Sequence, residues 1–113
     1  MNNRYYKSLQ EILDSIERIT EYVGLPLDYF GYANNKLVQQ AVERNFEIIG
    51  EAVKRLLEIE PTVPISNTRK IINMRNKISH GYDEVELVQV WAVIVNHLPT
   101  LKQEVEILIK QVE

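Results

Sequence analysis

The chain is 113 residues long, 45% apolar and 26% charged, with a formal net charge of −3; that length suits one domain spanning 1–113 and leaves no room for two. It has no cysteine, which excludes disulfides, thiolate metal sites and cysteine nucleophiles and fits a reducing compartment. The longest apolar run, Val90 to Val95, is far too short to span a membrane, and the opening MNNRYYKSLQEIL lacks the apolar core of a signal peptide. The expected location is the cytoplasm.

In chain order, the first element is an amphipathic helix over about Asn3 to Val23. Tyr5, Leu9, Ile12, Leu13, Ile16, Ile19 and Val23 recur at steps of three and four, and Gly24 followed by Pro26 is a stop signal. The stretch LPLDYFGYANN is rich in turn formers and reads as a connection whose three aromatic residues pin it to the core. A long second helix covers about Asn35 to Ile59. Its apolar residues, from Leu37 and Val38 to Leu56 and Leu57, form so wide a surface that part of it reads as a partner or dimer face. Pro61 and Pro64 close that region. A shorter helix starts at Ser66 or Asn67, both good N-caps, turns Ile71, Ile72 and Met74 inward, and ends near Lys77 to His80. Asp83 and Glu86 form a capping-box-like pair ahead of a fourth helix over about Glu84 to Asn96, and Pro99 kinks or restarts the chain before a last helix to Val112. The expected fold is an all-α bundle of four long helices, with the last one open to a split at Pro99.

The charge is unevenly spread. Between Pro61 and Tyr82 lie Arg69, Lys70, Arg75 and Lys77 and no acidic residue, whereas the rest of the chain carries 9 basic against 16 acidic residues. A basic island on an acidic protein is a seat for phosphate or a solvated helix face. Only two histidines are present, His80 and His97, and neither belongs to a metal-ligand spacing. There is no phosphate-cradling glycine loop and no nucleophile elbow. Arg75, Asn76, His80 and Tyr82 remain, grouped where two predicted helices meet. His97 reads as structural and Trp91 as core.

That group suits RNA. A histidine titrating near neutrality can move a proton at the 2′-hydroxyl or at the leaving oxygen. A guanidinium offers planar, permanent positive charge to a phosphorane-like transition state. Asn76 adds a neutral hydrogen bond, Tyr82 can orient phosphate or stack a base, and Arg69, Lys70 and Lys77 are candidates for holding the substrate. Five helical steps set Arg75 and His80 about 140° apart, so the pair converges only if the helix breaks between them. Gly81 and the Asp83 cap predict such a break, and the N-terminus of the next helix would then help to hold a phosphate.

The spacing Arg75-x4-His80-x-Tyr82 resembles the R-x4-H-x-Y signature of the HepT toxins, within the HEPN superfamily. AVERNFEIIGEAVKRL on the second helix, the MRN before the motif and NHLPTLK near the end are similar to that family too, from roughly Leu37 onward. The resemblance implies a HEPN-type bundle, a homodimer that brings two Arg75–His80 pairs together, and metal-independent endoribonuclease activity with no cofactor. It also implies a toxin–antitoxin pair whose other member is a minimal nucleotidyltransferase of the MntA type. That antitoxin would transfer AMP from ATP to Tyr82, placing bulk and negative charge beside Arg75 and His80.

Two other readings stay open. One is a non-catalytic nucleotide- or protein-binding helper of a nucleotidyltransferase; the other is a dimeric adaptor whose basic island faces solvent. On the second helix, Glu43, Glu47 and Glu51 stand one turn apart and fit a solvated face, interface ion pairs or support of the active site. Arg44 and Asn45, set among apolar neighbours, are the best candidates for a buried polar role.

Overall fold

The computed structural model describes residues 3–80 and 87–113, which form six helices and no strand. They are α1 (Asn3–Val23), α2 (Tyr29–Ala33), α3 (Lys36–Ile59), α4 (Thr68–Ser79), α5 (Leu87–Asn96) and α6 (Leu98–Val112). The expected all-α bundle is present. Glu84–Glu86 and the Asp83–Glu86 cap lie outside the described residues.

Each boundary has a local cause. The Gly24 amide donates to the Thr20 carbonyl at 3.0 Å with φ of +68°, a left-handed exit that glycine adopts without steric cost. The Asn35 side chain accepts from the Val38 amide at 3.1 Å and so caps α3. Asn67 does begin α4, but in a left-handed conformation and without a side-chain cap bond. Ser66 does not cap either: its amide and hydroxyl both donate to the Glu104 carboxylate and tie the start of α4 to α6. The long terminal segment is split. His97 leaves the helical path at φ −113°, ψ −34°, and Pro99 sits in the first turn of α6, where a missing amide proton costs nothing.

Helix α3 is the central element. Val42, Phe46, Ile49, Ala52, Val53 and Leu56 are buried on it. Helix α1 packs along one side and α4 along another, α6 lies on α1, and α5 lies on α6. Leu9, Ile12, Ile16 and Ile19 of α1 meet Leu98, Leu101, Val105 and Leu108 of α6 in the same core. Arg55 of α3 reaches across to α1, pairing with Glu11 and donating from Nε to Ser8 Oγ at 3.3 Å.

Two expectations are sharpened by this packing. Most of the wide apolar surface of α3 is covered within the chain, by α1 and α4 together, and the outward residues Gln40, Arg44, Glu51, Lys54 and Glu58 are polar, whereas Leu37 in its first turn stays exposed. Large apolar side chains that stay exposed include Leu25 and Phe30 around α2, Leu37 on α3, Val88 on α5 and Ile107 on α6. The connection after α1 contains a short helix, and only some of its aromatics anchor it. Tyr32 is buried and its ring lies 5.3 Å from that of Trp91, with Tyr29 on the other edge at 5.8 Å, whereas Phe30 points outward. Trp91 is half-buried against the core rather than within it.

Gly50 sets how closely α3 and α4 approach. A Cβ built there would stand 2.3 Å from Arg75 Cβ and 2.7 Å from Arg75 Cγ, distances no real Cβ tolerates. Gly50→Ala should destabilise the fold by about 1–3 kcal/mol through overpacking, against roughly 1 kcal/mol of gained helix propensity. Chemical denaturation should show a net loss of stability; unchanged or raised stability would mean that the two helices are not held by this contact.

Candidate functional site

The seam between α3 and α4 gathers the polar residues. Because Gly50 has no side chain, the stem of Arg75 lies directly on the α3 backbone. The guanidinium then emerges at the edge of the seam. Its Nη2 donates to Glu51 Oε1 at 2.7 Å and its Nη1 donates to Asn76 Oδ1 at 3.0 Å, while Nε is buried with no partner among the described residues. One turn further along, Ser79 Oγ donates to Glu47 Oε2 at 2.9 Å. Glu47 and Glu51 of α3 therefore meet Ser79 and Arg75 of α4, each pair one helical turn from the next.

His80 is the C-cap residue of α4, one beyond its last helical residue Ser79. It has φ −83° and ψ 0°, and its amide donates to the Asn76 carbonyl at 3.0 Å. The helix does end between Arg75 and His80 as expected, at Ser79, but the backbone stays right-handed through His80, so this end does not turn the two side chains toward each other. Arg75 faces α3 while His80 is exposed on the outer side. Asn76 is what joins them. Its side chain accepts from Arg75, and its main-chain carbonyl lies 2.7 Å from His80 Nδ1. A carbonyl only accepts, so Nδ1 carries the proton and the ring's basic lone pair is on Nε2. Gly81 and Tyr82 lie outside the described residues. Arg69, Lys70 and Lys77 are exposed on α4.

The carboxylates of α3 sit in different environments. The hydrogen bond from Arg75, assisted by the charges of Arg75, Arg55 and Arg44, holds Glu51 below the ordinary carboxylate range. Glu43 is pushed up by partial burial and by the negative charge of Glu47. Glu43 in turn helps to push up the Tyr32 hydroxyl, which burial raises first; that hydroxyl is buried without a hydrogen-bond partner among the described residues. Asn45 is buried as expected, and its side-chain amide donates to the Ala41 carbonyl at 2.8 Å. Arg44 is exposed, so the expectation of a buried role does not hold for it. Among the described residues no group of three His, Asp or Glu side chains is placed to hold a metal ion, and no helix is long and apolar enough to cross a membrane.

The family described as "Ribonuclease HepT-like" matches residues 12–108. The chain belongs to that family. It is similar to "Putative RNase MJ0125" of Methanocaldococcus jannaschii, with 34% identity over 106 residues covering 93% of this chain and 90% of that one. "Putative RNase MJ1380" of the same organism is 33% identical over 113 residues, covering 96% and 100%. "Probable ribonuclease HepT" of Thermococcus cleftensis is 31% identical over 114 residues, covering 97% and 100%. No solved structure matches the chain significantly. The HepT-like match begins within α1, well before Leu37.

Sequence reasoning did not find three parts of the HepT-like seam. For Glu51 and Glu47 the one-turn spacing is visible in the sequence but their partners are not, and Gly50 belongs to no motif. Its signal was a glycine at the centre of an otherwise strong helix, where the residue costs about 1 kcal/mol unless a neighbour needs the space.

Glu43 yields a test by pH. A carboxyl whose pKa is higher folded than unfolded binds its proton more tightly in the folded state. Its contribution is most favourable below the unfolded value and is lost as pH rises through the folded one. Glu43→Gln should therefore raise the melting temperature at pH 7, with the gain vanishing below about pH 4. Equal gains at both pH values would assign the effect to packing instead.

Proposed function

We propose that this HepT-like chain is a metal-independent endoribonuclease and the toxin of a toxin–antitoxin pair. The observation that carries the reading is the bridge through Asn76. One residue holds the Arg75 guanidinium with its side chain and the His80 ring with its carbonyl, giving fixed positive charge and a basic imidazole nitrogen a common anchor. The names of the relatives, all RNases, support the same activity.

The chemistry follows from those two groups. His80 Nε2 takes the proton of the 2′-hydroxyl, and the freed 2′-oxygen attacks the adjacent phosphorus. The bond from phosphorus to the 5′-oxygen breaks, that oxygen acquires a proton, and the products are a 2′,3′-cyclic phosphate and a 5′-hydroxyl end. Because Arg75 and His80 of one chain face different sides of α4, the guanidinium that stabilises the charge building on the phosphoryl oxygens would be the one that a second copy brings to the site. For Arg75 to engage phosphate it gives up part of its bond with Glu51, or uses the Nη protons that Glu51 and Asn76 leave over. Glu51 keeps the guanidinium at the seam in the meantime, which reduces the ordering cost when substrate arrives.

A homodimer belongs to the proposal, since a second copy would supply another Arg75–His80 pair. Exposed apolar side chains at Leu25, Phe30, Leu37 and Val88 support a partner-covered surface. Regulation is proposed at Tyr82, two residues beyond His80: AMP transferred there by an MntA-type nucleotidyltransferase antitoxin would set negative charge next to Arg75 and occupy the phosphate position.

RNA cleavage in the presence of EDTA tests the activity. Arg75→Ala and His80→Ala should each lower the rate by about 10²-fold or more, and wild type should leave cyclic phosphate ends. Undiminished cleavage by the double variant would remove the reading. Incubation with the nucleotidyltransferase and ATP should add one AMP to wild type and none to Tyr82→Phe, as read by intact-mass measurement.

A further inference from the structure

Helix α4 divides its charge between two faces. On the seam side, Arg75 and Ser79 are engaged by Glu51 and Glu47. On the outer side Arg69, Lys70, Asn73, Lys77 and His80 are all exposed. With about 100° per residue, these five span an arc of roughly 100° on the helix. The helix contains no acidic residue, and Glu104, which lies beside its start, is turned onto Ser66 by three hydrogen bonds. The outer face is therefore a continuous row of positive charge and one amide, ending on the proposed proton-transfer group. Eleven residues separate Arg69 from His80, a rise of about 16 Å.

We propose that this face is a track for the backbone of single-stranded RNA, leading from Arg69 and Lys70 past Lys77 to the phosphate at His80, with Asn73 a further contact to sugar or base. The inference rests on the ribonuclease reading and adds where the substrate lies and in which form. A row about 16 Å long and one helix wide is enough for a few nucleotides of one strand. Duplex RNA is instead recognised across successive grooves over about 16 base pairs, a span this face does not reach. The seam cannot serve as the track, because Glu43, Glu47 and Glu51 would repel phosphate along it. Asn73 was not singled out from the sequence; its exposure midway along a basic row is what marks it. Being neutral, it can discriminate sugar or base edges without adding to the salt-sensitive part of binding.

The test is the salt dependence of binding, measured by fluorescence anisotropy with a short unstructured RNA oligonucleotide and the full-length His80→Ala chain, so that the RNA stays intact. For single strands the slope of log affinity against log salt is about 0.7 per neutralised phosphate. Adding Lys77→Gln should reduce its magnitude by about 0.7, and Arg69→Gln with Lys70→Gln by about 1.4. Asn73→Ala should weaken binding with the slope unchanged. Lys110→Gln on α6 makes the same change in net charge away from the track and should leave the slope as it was. In otherwise wild-type protein the track variants should raise KM more than they lower kcat. Unchanged slopes in both track variants, an equal loss in Lys110→Gln, or equally tight binding of a blunt duplex would each overturn the track. If wild type cleaves RNA and His80→Ala does not while the slopes stay unchanged, the track alone is wrong; if wild type fails to cleave RNA, the ribonuclease reading falls, whatever the slopes.

Discussion

The close approach of α3 and α4 at Gly50 is the constraint on which the rest of the site depends. A side chain at position 50 would occupy the space of the Arg75 stem, so the absence of one is what lets Arg75 lie flat on α3. From that position its guanidinium reaches Glu51 on one side and Asn76 on the other, and the same helix spacing brings Ser79 within reach of Glu47. The polar seam is thus a consequence of a backbone contact, and its hydrogen bonds refine a separation already fixed by packing. The aliphatic stem of Arg75 contributes to that packing as a hydrophobic group would, while its head stays at the edge of solvent.

Much of the fold was legible in the residues. The three- and four-residue steps of Leu9, Ile12, Ile16 and Ile19 mark the buried side of α1, Gly24 marks its end, and Asn35 caps α3. Pro99 marks the division of the last segment because a proline fits the first turn of a helix far better than its interior. What was not legible has specific causes. The turn-rich stretch after α1 conceals the single helical turn of α2, which is held by tertiary contacts of Tyr32 with Trp91 rather than by its own propensity. The breadth of apolar surface on α3 is real, but a one-dimensional pattern does not reveal that two neighbouring helices share it. Arg44 shares its immediate sequence neighbours with Asn45, yet one step of about 100° carries it from the core into solvent.

The candidate site was legible as a set of residue types and not as an arrangement. Arg75, Asn76 and His80 stand out because few other residues in this chain can bind phosphate and move protons. Their spacing points to a helix end between them, and α4 does end at Ser79, but the backbone stays right-handed through His80 and the connection runs through Asn76. Sequence spacing gives the angle between Cβ directions; it says nothing of how a long guanidinium bends back or of which carbonyl an imidazole chooses. The carboxylates on α3 were visible as a periodic row, and their division into one group held low by Arg75 and another pushed up by burial needed the three-dimensional neighbours.

Asn76 holds its two partners with different atoms. Arg75 is bound by the side-chain amide oxygen, which substitution at position 76 moves or removes. His80 is bound by the main-chain carbonyl, which every amino acid possesses and which also receives the His80 amide as part of the helix. Mutation at this position can therefore reach only the arginine half of the bridge. Over evolutionary time the two halves are free to drift at different rates: the histidine's orientation is inherited with the helix itself, and the placement of the guanidinium is the part that selection on a single codon can tune.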